Sequence, residues 1–192
     1  APAIVIKKFT NGADADDANG VDVPVITAGA PVTWTYRVTN VGTLPFVETA
    51  IMVTDDLVGP VTQIIEKIGN LDEVLAPGET WIYQATGTAL PLATNPTGVT
   101  IVQGCSAGQT TPTIPTYENI GTVVGTPMSG GNPVTDTDPS HYCNDRPPAI
   151  DIEKATNGED ADTPTGPFIL VGNPVNWTYV VTNIGLVTLT NV

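Results

Sequence analysis

The stretch Asn11-Gly12-Ala13-Asp14-Ala15-Asp16-Asp17-Ala18-Asn19-Gly20-Val21-Asp22 sets carboxylates at i and i+2 behind an asparagine amide. Clustered hard oxygen donors of this kind are what Ca²⁺ takes. The order departs from the helix–loop–helix calcium template, because the sixth position from Asp14 is Asn19 and no glutamate stands at the twelfth. A site here is therefore of the loop type, and the alternative is a solvated acidic turn. If the preceding strand runs the length of a sheet, Asp55-Asp56 at the end of a later strand returns to the same end. Asn11, Asp14, Asp16, Asp17, Asp55 and Asp56 are then expected to gather there, where their charges repel unless a cation neutralises them. Asp136-Thr137-Asp138 is a second i, i+2 pair, which either binds a cation, its own or that of the first site, or guards an edge strand with charge. Asn157, Asp160 and Asp162 form a further set of the same type.

Other reactive side chains are sparse. The single histidine, His141, stands between Ser140 and Tyr142. Neighbours on a strand face opposite ways, so Ser140 and His141 form no nucleophile–base pair, and no enzyme activity is expected. Paired carboxylates alone are too common in this acidic chain to indicate a glycosidase. Lys8 shares a face with Ile4 and Ile6, as Lys154 does with Ile150 and Ile152. A lysine there either snorkels to the rim or meets an Asn or Asp of a neighbouring strand and forms an isopeptide bond. Cys105 and Cys143 lack any C-x-x-C spacing and read as one disulfide of an oxidising, extracellular setting, or as two buried thiols. Closing a loop of about 38 residues would stabilise the fold by about 4 kcal/mol on the chain-entropy account.

The elements that must position these groups are short strands. Val32, Trp34, Tyr36 and Val38 alternate with Thr33, Thr35, Arg37 and Thr39, the pattern of a half-buried strand. Further strands are expected at Ile4–Lys8, Val47–Thr54, Val61–Ile68, Thr80–Thr88, Val99–Gln103, Asn119–Thr126 and Val134–Tyr142, separated by Gly/Pro/Asn turns. Only Ile64–Leu75 hints at a helix, and Gly69-Asn70 interrupts it. The fold expected is an all-β antiparallel sandwich. The 192 residues carry 20 acidic and only 6 basic side chains, scattered, for a net charge of −14. Nucleic-acid binding is disfavoured, and no apolar run reaches the roughly 18 residues of a membrane span.

The opening also returns. Pro2 through Asp16 is matched by Pro148 through Asp162, and Pro31 through Gly42 by Pro174 through Gly185, with Trp177 and Tyr179 in register with Trp34 and Tyr36. Residues 1–146 read as one complete repeat and 147–192 as the first strands of a second, completed by further chain or by a neighbouring subunit. The sequon Asn176-Trp177-Thr178 is confined to the second copy.

Ile4-x-Lys-x-x-Asn11-Gly12-x-Asp14-Ala15-Asp16, Pro31-Val32-x-Trp34-Thr35-Tyr36-x-Val38-Thr39-Asn40-x-Gly42, Leu75-Ala76-Pro77-Gly78-Glu79-Thr80, Tyr117-Glu118-Asn119 and Val134 through Tyr142 resemble the conserved-repeat, immunoglobulin-like domain of large bacterial surface proteins. The segment Ala89–Thr116, which carries Cys105, is longer and richer in Pro and Thr than the usual link. The resemblance implies a structural module of an extracellular, cell-surface filament or adhesin stalk. Its partners would be copies of itself, head to tail, and calcium and a disulfide would rigidify it. The alternative is an adhesin module binding carbohydrate or a host protein, for which Trp81, Tyr83 and Tyr117 are the candidate exposed aromatics.

Overall fold

The computed structural model describes residues 1–105, 113–145, 148–185 and 189–192. The chain divides into two compact units, Ala1–Asn144 and Asp145–Val192. In the first unit the strands are β1 (Ile4–Thr10), β2 (Pro31–Asn40), β3 (Phe46–Val47), β4 (Ile51–Asp55), β5 (Gly59–Pro60), β6 (Gln63–Ile68), β7 (Val74–Leu75), β8 (Thr80–Thr88), β9 (Thr100–Gly104), β10 (Ile114–Gly125) and β11 (Val134–Cys143). One sheet runs β1-β2-β8-β6 and the other β11-β10-β4-β5, with β9 beside the remaining half of β10; β3 pairs with β7 alone. These ladders are all antiparallel.

Period-two alternation makes the two sheets face each other. Ile4, Ile6, Trp34, Tyr36, Val38, Trp81 and Tyr83 from one join Val53, Tyr117, Val123 and Tyr142 from the other in a single core. Each such side chain removed from water stabilises by about 1.5–3 kcal/mol. Close approach is enforced on β10, where a Cβ built on Gly121 would lie 2.9 Å from the Tyr36 ring. The expected Val47–Thr54 strand is broken by a 3-10 turn at Glu48–Ala50. Ile64–Leu75 holds no helix: it carries most of β6 and all of β7. Within Ala89–Thr116, the buried Leu92 begins a second 3-10 turn and β9 adds a strand; residues 106–112 lie outside the described residues.

The edges of the two sheets meet at β1 and β11. The unpaired side of β1 is satisfied by side chains: Ile6 N–H donates to Asp136 Oδ2 at 2.9 Å, and Lys8 N–H to Asp138 Oδ2 at 2.7 Å. Thr10 and Ser140 continue the seam hydroxyl to hydroxyl at 2.6 Å.

The second unit holds β12 (Ile150–Thr156), β13 (Glu159–Asp160) and β14 (Trp177–Asn183), in the order β13-β12-β14. β12 pairs β14 from Ile150↔Asn183 to Thr156↔Trp177, the register in which β1 pairs β2 from Ile4↔Asn40 to Thr10↔Trp34. Ile150, Ile152, Trp177, Tyr179 and Val181 are 46–64% exposed, whereas their counterparts Ile4, Ile6, Trp34, Tyr36 and Val38 are at most 5% exposed.

Candidate functional site

The acidic loop begins with a tight hairpin. Asn11 and Gly12 both take positive φ, 49° and 86°, and Thr10 and Ala13 exchange main-chain hydrogen bonds across them. Asn-Gly is the preferred pair for this two-residue turn, because both positions need left-handed backbone. Asn11 Oδ1 accepts the Thr33 N–H of β2 at 2.8 Å. Asn157 does the same in the second unit, with φ of 49° and its Oδ1 accepting the Asn176 N–H at 2.7 Å. Farther round, Asp17 Oδ1 accepts from Asn19 N–H and Asp22 Oδ2 from Ala15 N–H. His141 pins the loop from below: Nδ1 lies 2.7 Å from the Ala15 carbonyl and Nε2 3.0 Å from Glu118.

The carboxylates that do come together are Asp14, Asp16 and Asp138, with one oxygen of each within 4.8 Å of the others. A residue that sequence reasoning passed over stands among them. The Lys7 ammonium is 2.6 Å from Asp16, 3.1 Å from Asp138 and 4.0 Å from Asp14. Its hydrogen bond to Asp16 raises its pKa, against some loss of hydration. Asp14 Oδ1 stays buried without a hydrogen-bond partner. In the second unit Glu153 stands where the repeat aligns Lys7, and Glu153, Asp160 and Asp162 form a three-carboxylate cluster. The charges of Asp160 and then Asp162 raise the Glu153 pKa.

Asp55 and Asp56 are not part of the loop cluster. Asp56 Oδ1 accepts the Ile120 N–H at 2.7 Å, at the gap on β10 between β9 and β4. Asp55 turns inward and is only 3% exposed, beside Lys8, Tyr36 and Asn119, each at 0%. Tyr36 Oη donates to Asp55 Oδ2 at 2.6 Å, and Asn119 Nδ2 donates to Asp55 Oδ1 and Oδ2 at 2.8 and 2.7 Å. The N–H groups of Leu57 and Val58 bond the same carboxylate. From the opposite sheet Lys8 Nζ lies 3.3 Å from Asp55 Oδ2 and donates to the Asn119 main-chain oxygen at 2.7 Å and to Asn119 Oδ1. Burial pushes the Lys8 ammonium down to about 8 despite the Asp55 charge. Burial alone would raise Asp55, but Lys8, Tyr36 and the two main-chain N–H groups outweigh it and hold the carboxyl below its usual range.

This cluster was half legible. Lys8 is in phase with Ile4 and Ile6, and Asn119 is in phase with Tyr117 and Val123, which marks both as polar residues on core faces. That they meet across the sandwich follows from the pairing of sheets, which no local pattern encodes.

Cys105 and Cys143 form a disulfide that links the ends of β9 and β11 across β10. The aromatics expected to be open are not: Trp81, Tyr83 and Tyr117 are 0, 4 and 3% exposed. Their side of the strand faces the core, Tyr117 stacking on Tyr142 with ring centres 4.5 Å apart. Comparison with family models, curated proteins and solved structures finds no match to this chain.

Proposed function

We propose that the chain is a structural module of an extracellular bacterial surface filament or adhesin stalk, in which copies follow one another head to tail. The observation that carries this reading is the β12–β14 hairpin. It repeats the register of β1–β2, yet leaves open the apolar face that β1–β2 buries against a second sheet. Such a face of large aliphatic and aromatic side chains calls for a cover. The cover consistent with the first unit is a β4–β10–β11 sheet supplied by a neighbouring copy. Contacts of this head-to-tail kind that do not close into a ring build a filament. The disulfide supports an oxidising, extracellular location, and the net charge of −14 gives no support to nucleic acid as a partner.

Calcium belongs to this reading as a stiffener of the acidic loops. At Asp14, Asp16 and Asp138 it would compete with the Lys7 ammonium, whereas no ammonium pairs with Glu153, Asp160 and Asp162 among the described residues.

Electron microscopy and sedimentation of the purified chain test the proposal. Filaments or open-ended oligomers that lengthen with concentration are expected, and a single closed species at every concentration refutes it.

A further inference from the structure

The buried cluster contains an amine, a carboxamide and a carboxylate held together where water is excluded. We propose that Lys8 and Asn119 are joined by an intramolecular isopeptide bond, formed with Asp55 as the catalytic residue that carries the protons. The Lys8 amine reaches the Asn119 side chain from the opposite sheet, and Asp55 grips the carboxamide nitrogen with both of its oxygens. All three side chains are held from several directions. β1 is locked by Asp138 on the Lys8 N–H, Asp55 by Tyr36 and two main-chain donors, and Asn119 by the ladder of β10 with β11. Fixing reactants in contact in this way replaces a bimolecular step by an intramolecular one, with effective molarities on the order of 10⁵ M or more.

The chemistry balances without an oxidant or a co-reactant. A proton passes from the Lys8 ammonium to Asp55 Oδ2, 3.3 Å away, and frees the Nζ lone pair. The apolar surroundings that disfavour the ammonium favour this transfer. Nζ attacks Asn119 Cγ and forms the new C–N bond. Asp55 gives its proton to Nδ2, the Cγ–Nδ2 bond breaks, and ammonia leaves. The carboxylate then takes the second Nζ proton, and a neutral secondary amide remains beside a neutral carboxyl group. The simple alternative is a buried ion pair, which contributes little net stability because desolvation offsets attraction. An amide removes that buried charge altogether.

The bond would change how the unit carries tension. Lys8 and Asn119 are 111 residues apart, and force entering along β1 would bypass the whole stretch between them. The Cys105–Cys143 bond would then add a second covalent link between the end of β9 and the end of β11.

Mass spectrometry of the full chain, with its disulfide reduced, tests the inference. The folded protein is expected to weigh one ammonia less than its sequence, and digestion is expected to yield one branched peptide joining Lys8 to Asn119. Localisation matters because Asn11-Gly12 and Asn157-Gly158 can also lose ammonia by closing on their own main chain. Lys8→Met and Asp55→Asn should both restore the full sequence mass at this site, whatever their effect on stability. Recovery of Lys8 from the folded wild-type chain in an ordinary, unbranched peptide overturns the proposal. A crosslink that persists in Asp55→Asn overturns the role given to Asp55.

Discussion

Asp138 accepts the main-chain N–H of Lys8 at 2.7 Å, so a carboxylate of the last strand of one sheet closes the open edge of the first strand of the other. Two strands that share no ladder are thereby sewn together, and the residue so fixed is the one whose side chain enters the polar cluster of the core. Asp136 makes the same stitch two residues earlier, at Ile6. The i, i+2 spacing of the acidic pair is the strand period matched to alternate N–H groups of β1.

Removing these stitches should therefore cost stability in a fixed order. A buried N–H left without an acceptor costs about 1–3 kcal/mol. Asp138→Ala orphans the buried Lys8 N–H and should lie at the upper end, while Asp136→Ala acts at a part-buried bond and should cost less. Chemical denaturation of both variants checks the order, and equal, negligible losses would show that the seam is water-satisfied.

The strand pattern of the sandwich could be read from residues alone because its faces obey a strict period of two: Val32, Trp34, Tyr36, Val38 and Asn40 are buried, and Thr33, Thr35, Arg37 and Thr39 are not. The loop was harder. Asn11-Gly12 has two physical readings, a cation ligand and a left-handed turn, and the left-handed backbone with the Thr10–Ala13 exchange accounts for the turn without reference to an ion. Asp55 was expected to gather with the loop carboxylates, but its parity matches Val53, so it points inward to the core instead. Lys7 was missed because the acidic residues near it in space come from the loop and from β11, far along the chain.

The disulfide gives an asymmetric prediction. Reduction should destabilise the first unit by about 4 kcal/mol on the chain-entropy account. Of the single variants, Cys143→Ser should cost more than Cys105→Ser. Cys143 is fully buried and Cys105 is only partly so, so the serine hydroxyl loses more hydration at position 143. Thermal melts of both variants against the reduced parent separate the two contributions.

Lys8 predicts a pH dependence that only an unreacted amine can show. Its pKa is about 8 in the folded chain against 10.5 ordinarily. Between those values the unfolded chain binds the extra proton, so stability rises with pH across the window, by on the order of 3 kcal/mol in total. Asp55, Asp138, Tyr36 and Tyr117 also face this region and contribute their own trends, and Asp56 adds its charge. The difference between Asn119→Ala, which keeps the amine, and Lys8→Met, which lacks it, isolates the Lys8 part. That difference should grow from about pH 8 to pH 10.5, whereas a crosslinked wild-type chain should lack the rise. A flat difference would place the amine in contact with water.

Lys7 sets the terms for calcium. By linkage, a cation at about 100 times its dissociation constant stabilises by about 2.7 kcal/mol. In the wild-type chain the Lys7 ammonium already neutralises Asp16 and Asp138. Lys7→Met frees these carboxylates and should enlarge the shift in melting temperature between excess calcium and excess chelator. An identical melting temperature in both media, for the wild type and for Lys7→Met, would remove calcium from the account of this protein.

Trp177 offers a direct reading of whether the open face is covered on assembly. Of the three tryptophans in the chain, Trp34 and Trp81 are 5 and 0% exposed, while Trp177 is 55% exposed on the face it shares with Ile152 and Tyr179. In dispersed chains a soluble quencher such as acrylamide should therefore reach one emitter and leave two protected, and Trp177→Phe should remove the accessible component. If copies cover this face with β-structure, burial of each large side chain stabilises the contact by about 1.5–3 kcal/mol. The accessible component should then disappear as assembly proceeds. Ile152→Lys places a charge in the middle of the covered face, where leaving it unpaired is costly. It should hold the chain in its dispersed, quenchable form while Trp34 and Trp81 keep their protection. Filaments in which Trp177 stays as open to quencher as in dispersed chains would mean that some other surface makes the contact.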